Sequence, residues 1–164
     1  MKGPGTGEAE RLEAVRRLLA GLAAGHDAVE LCDAIADLHP EGNTFPGEVY
    51  LRLGAEVLDL NAAAGAPPIS FEGLRERHLE EIQLRGSGNR KIKTTVLSAA
   101  AIAGGFEPDL LDEIYWWGRE DDFWRYGLYA AVAIIRASAS NRDISVAQVV
   151  AELAERHVVV LPER

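Results

Sequence analysis

With 164 residues, 48% of them hydrophobic and 26% charged, the chain is sized for one globular domain with a real core and is too apolar to be disordered. A net charge of −9 and a pI of about 4.9 oppose the positive field that a general nucleic-acid binder needs, so nucleic acid is disfavoured as a partner. Cys32 is the single cysteine, which excludes an intrachain disulfide, and no apolar run approaches bilayer length, so a soluble cytoplasmic protein without membrane association is expected.

Residues 1–7 are rich in Gly, Pro and Thr and read as a disordered tail, with a single all-helical domain over 8–164. Leu12, Val15, Leu18, Leu19 and Leu22 then recur at helical spacing until Gly25. Asp27 and Glu30 have the spacing of a capping box and open a second helix through Val29, Leu31, Cys32, Ile35 and Leu38. Cys32 falls on its apolar side and reads as a small buried hydrophobe. His39-Pro40 ends that helix, and a third carries Val49, Leu53, Val57 and Leu60 before closing at Gly65.

Ser70 reads as the cap of a fourth helix with Phe71, Leu74, His78, Leu79 and Ile82 inward. A fifth carries Ile92, Val96, Leu97 and Ala100. Pro108 suits the first position of a sixth, which stops near Gly118. The seventh, about 121–139, is apolar almost all round from Leu128 to Ile135 and is expected to be the central, most buried element. Ser145 with Gln148 forms a second capping-box pattern, stapled by Ile144 and Val149, ahead of an eighth helix. The β-prone tail from His157 is expected to pack in extended form. The predicted fold is all-α: a single compact bundle of about eight helices. The matching helix starts at Ile69-Ser70 and Ile144-Ser145 leave a weak helical-repeat character open.

Two segments stand out as candidate sites. Seven of the eleven Phe, Trp and Tyr residues lie between Tyr115 and Tyr129, and seven carboxylates lie between Glu107 and Asp122. Adjacent positions on a helix project about 100° apart, so Trp116 and Trp117 are hard to hide on one face. Amphipathic rings left at a surface favour partner binding. Tyr115, Trp116, Trp117, Trp124 and Tyr126, with Asp112 and Glu113, are therefore the candidate partner- or ligand-binding residues. The same rings would also fill gaps between helices. A metal on Asp109, Asp112 and Glu113 has the one-face spacing it would need, but acids are favoured in any first helical turn and no companion motif accompanies them, so no metal site is assigned.

The other segment is Arg85-Gly-Ser-Gly-Asn-Arg-Lys-Ile-Lys, net +4 within an acidic chain. Arg85, Ser87, Asn89, Arg90, Lys91 and Lys93 are candidate anion-binding residues ahead of a helix N-terminus, although the phosphate-loop order is absent. A flexible connector would have the same composition. His78, three residues before Glu81, has the form of a carboxylate-held base but equally of a buried histidine. His26, His39 and His157 lie at helix ends, where a cation is favoured at a C-terminus.

No catalytic motif is found and no cofactor is implied, which leaves enzymatic activity open. The leading expectation is a protein-interaction domain, an acidic helical bundle that docks a protein partner or a second copy of itself through the aromatic and acidic surface. The alternative is a small-molecule-binding domain or enzyme with a pocket between the sixth and seventh predicted helices.

Overall fold

The computed structural model describes residues 4–38, 45–69, 123–159 and 161. Among them are five α-helices, one 3-10 turn and no strand: α1 (Pro4–Ala23), α2 (Ala28–Ile35) running into the 3-10 turn Ala36–Leu38, α3 (Phe45–Ala63), α4 (Phe123–Arg142) and α5 (Val146–Arg156). These correspond to the first, second, third, seventh and eighth predicted helices. The fourth, fifth and sixth lie outside the described residues, so five helices are seen where about eight were expected. α1 begins at Pro4, inside the segment read as a tail. None of the described helices is long and apolar enough to cross a membrane.

Both predicted capping boxes form. The Glu30 backbone N–H donates to Asp27 Oδ1 at 2.9 Å and the Asp27 N–H to Glu30 Oε1 at 3.2 Å. At α5, the Gln148 N–H donates to Ser145 Oγ at 3.1 Å and the Ser145 N–H to Gln148 Oε1 at 2.8 Å. Each box satisfies two donors that a helix start otherwise leaves to water.

Four helix ends close with the same pair of backbone bonds, a six-to-one bond enclosing a five-to-two bond. At α1 these are His26 N–H to Gly21 O and Gly25 N–H to Leu22 O, both 3.0 Å, and at α3 Ala66 to Asn61 and Gly65 to Ala62. The motif needs a left-handed residue, which glycine supplies at Gly25 (φ 86) and Gly65 (φ 72). At α4 and α5 the same place is taken by Asp143 and Val158, each at φ 54. A β-branched residue is costly there. What holds Val158 in place is its successor: Val159 donates its N–H to Ala154 O at 2.8 Å and, with Leu161, packs against the core.

The core joins α1 (Leu18, Leu19), α2 (Leu31, Cys32, Ile35), α3 (Tyr50, Leu53, Val57), α4 (Leu128 to Ile135) and α5 (Val149, Val150, Leu153). α4 packs most extensively on α3 and also meets α2 and α5. The stretch read as apolar all round is sealed, with Leu128, Ala130, Ala131, Val132, Ile134 and Ile135 at 0% exposure. Its many alanines, with buried glycines at 127 and 54, leave little side-chain bulk to hold the helix axes apart. Leu12 departs from expectation. It follows the apolar period of α1 yet is 48% exposed.

Candidate functional site

Three of the elements converge on a cleft of about 220 Å³. Arg11, Leu12 and Val15 come from the second and third turns of α1. Val49, Arg52, Leu53 and Glu56 come from α3, and His157 from the C-cap of α5. On α3 the four residues are spaced by three, one and three, so they form one continuous stripe along the helix. Its apolar members are buried, Val49 at 8% and Leu53 at 2%, as is Val15 at 5%. The stripe therefore provides a hydrophobic floor flanked by charged groups.

The charged groups come from distant parts of the chain. His157 Nε2 lies 2.6 Å from Glu56 Oε2, and both side chains are 29% exposed. His157 reaches this position because it caps α5, its N–H donating to Leu153 O at 3.0 Å, and α5 lies against α1. Glu56 is the one carboxylate among the described residues that line the cleft, and it is engaged by the imidazole. Among the described lining residues, Arg11 and Arg52 carry guanidinium groups.

Beyond the cleft, the polar contacts join helices to one another. Arg17 Nη1 meets Asp37 Oδ1 at 2.6 Å, tying α1 to the 3-10 turn, and Arg142 clasps Glu152 with contacts of 2.6 and 2.8 Å between α4 and α5. Ser138, fully buried, donates to Asn61 Oδ1 at 3.2 Å, and Asn61 and Asn141 both donate to the Pro67 carbonyl, at 3.0 and 2.9 Å. A buried polar group must be bonded, and this network fixes the segment after α3 onto α4. Arg16 and Arg17 hydrogen-bond Glu13 and hold its carboxyl down at about 2. Burial pushes the Tyr50 hydroxyl well above the usual tyrosine range.

None of the described residues that line the cleft belongs to the sites read from sequence. Tyr115, Trp116, Trp117, Asp112 and Glu113 are outside the described residues, and so are Arg85, Ser87, Asn89, Arg90, Lys91, Lys93, His78 and the acids Asp109 and Glu107. Trp124 and Tyr126 fall in the first turn of α4, at positions about 200° apart around its axis. Asp121 and Asp122 immediately precede it. Cys32 is fully buried, in keeping with a packing role. Among the described residues no three His, Cys, Asp or Glu side chains gather as a metal site would require.

The cleft was not read from sequence. Glu56 and His157 are 101 residues apart, and periodicity does not reveal which helices meet. The available signal was on α3, where Arg52 and Glu56 take successive turns beside Val49 and Leu53, and in Leu12, the first residue of its apolar run.

No protein-family model matches the chain, and neither a curated protein nor a solved structure matches it.

Proposed function

We propose that this chain is a protein-interaction domain that docks a protein partner, or a second copy of itself, through the aromatic and acidic segment that leads into α4. The observation that carries the reading is the concentration of seven of eleven aromatic rings between Tyr115 and Tyr129, beside seven carboxylates between Glu107 and Asp122. Rings of this kind supply contact area at low entropic cost, and the acids select a basic counterpart. The position of Trp124 and Tyr126 in the first turn of α4 supports it, because helical geometry separates these two positions too widely for one helix face. The reading includes one domain over 8–164, about eight helices in all and a cytoplasmic setting.

Single substitutions Trp116→Ala, Trp117→Ala and Trp124→Ala test it. At least one is expected to lower the oligomer mass measured by sedimentation, or to weaken capture of a basic partner, without unfolding the chain. If all three variants leave both measurements unchanged, the interaction reading is wrong.

A further inference from the structure

The cleft between α1, α3 and the end of α5 joins an apolar floor to one side chain whose hydrogen-bonding role is fixed. Val15, Val49 and Leu53 are buried there, and Leu12 beside them is 48% exposed. Apolar surface in a concave site is surface that a ligand can cover.

Main-chain bonds bring His157 into the lining. Its N–H donates to Leu153 O at 3.0 Å, and Val159, two residues on, donates to Ala154 O at 2.8 Å. Glu56 then orients the ring, with Nε2 lying 2.6 Å from Oε2. An ionised carboxylate only accepts hydrogen bonds, so in a neutral imidazole the ring proton sits on Nε2 and the lone pair on Nδ1. Among the described residues Glu56 is the hydrogen-bond partner of this ring, and Nδ1 is left to accept.

An acceptor beside apolar surface narrows the choice of ligand. A wholly apolar molecule would cover Leu12 but strip Nδ1 of water without giving it a donor. A carboxylate would bring acceptors to an acceptor, and an ammonium group would lose hydration over Val15, Val49 and Leu53. A hydroxyl donates at the smallest cost in desolvation. Size sets the upper limit. At about 220 Å³ the cleft exceeds a benzene-sized cavity of roughly 150 Å³ but is smaller than the ~300 Å³ at which drug-sized pockets begin.

We infer that this cleft binds a small neutral molecule with one hydroxyl on a monocyclic apolar body. The body covers Leu12, Val15, Val49 and Leu53, and the hydroxyl donates to His157 Nδ1. The test is titration of the whole chain with phenol at about pH 8, where free imidazole is neutral. Backbone amide and imidazole nitrogen chemical shifts follow the binding. Anisole, which keeps the ring and oxygen but lacks the donor, and benzoate, whose carboxylate only accepts, serve as controls.

Saturable shifts at Leu12, Val15 and Leu53 are expected for phenol, together with a shift of His157 Nδ1, and both controls should bind at least about fivefold more weakly. His157→Phe keeps an apolar ring but removes the acceptor, so phenol and anisole should then bind alike. Because the bonds that cap α5 are main-chain, this variant should keep the helix end. Any general loosening would weaken both ligands and leave their ratio to report the hydroxyl contact. No saturable shift with phenol would overturn the inference. Anisole binding as tightly as phenol, a preference for phenol that survives His157→Phe, or an Nδ1 signal unmoved at saturating phenol would overturn it equally. The site does not draw on Trp116, Trp117 or Trp124, so this result and that of the interaction test are independent.

Discussion

α3 takes part in two junctions of opposite character. Toward α4 it meets a helix whose residues from Leu128 to Ile135 are almost all fully buried, and the polar link found there, Ser138 to Asn61, is bonded onward to Pro67. Toward α1 and the end of α5 it leaves a cleft whose described lining includes an exposed leucine and the ionisable side chains of Arg11, Arg52, Glu56 and His157. The difference follows from side-chain size and charge. Alanine and glycine let helices close on one another, whereas the long charged side chains Arg11, Arg52 and Glu56, with His157, line the cleft on the other side. One junction supplies stability and the other offers a surface.

Truncating one aliphatic side chain at each junction gives the largest contrast. Ile134→Ala, at a position with no exposure, is expected to cost about 3 kcal/mol of unfolding free energy, whereas Leu12→Ala should cost under about 1 kcal/mol. Urea denaturation of both variants measures the difference, and equal losses would remove the distinction. Next in size is Asn61→Ala, which strips buried Ser138 and the Pro67 carbonyl of a partner and is expected to cost about 1–3 kcal/mol by the same assay.

A smaller effect of opposite sign is expected beside the cleft. Val158 is left-handed at φ 54 and 86% exposed, so Val158→Gly relieves backbone strain with little packing to lose. The midpoint of urea denaturation should rise, by the equivalent of about 1 kcal/mol. A fall would mean that the valine side chain itself is needed.

The smallest effect is electrostatic. Hydrogen bonds from Arg16 and Arg17 lower the Glu13 pKa from 4.5 to about 2. A carboxyl depressed on folding stabilises the native state above its unfolded value. That contribution is therefore complete above about pH 4.5 and is lost as the pH falls toward about 2. Glu13 is partly solvated, so the effect is small and salt-sensitive. Comparing acid unfolding of the wild-type chain and Glu13→Gln isolates it, and identical pH profiles would show that the network adds nothing.

Local features of the fold were legible in the sequence. The apolar periods placed the described helices, Asp27–Glu30 and Ser145–Gln148 announced both caps, and Gly25 and Gly65 marked two ends. Asp143 and Val158 gave no such notice, because their left-handed turns are imposed by Ile144 and Val159 bonding back to the preceding helices. The cleft was illegible for a related reason. It depends on α5 lying against α1, a long-range outcome of packing that no window of residues encodes. Leu12 shows the same limit, since periodicity names an apolar face but not where along the helix the covering partner stops.

Interaction through the aromatic segment requires at least one of the chain's three indoles, Trp116, Trp117 and Trp124, to reach the surface. Tryptophan emission of the native chain, with quenching by acrylamide, measures this directly. A red-shifted component that acrylamide quenches, and that is protected when a partner or second copy binds, is the expected result. Uniformly blue-shifted emission that acrylamide cannot reach would show all three indoles sealed and would contradict the proposed function.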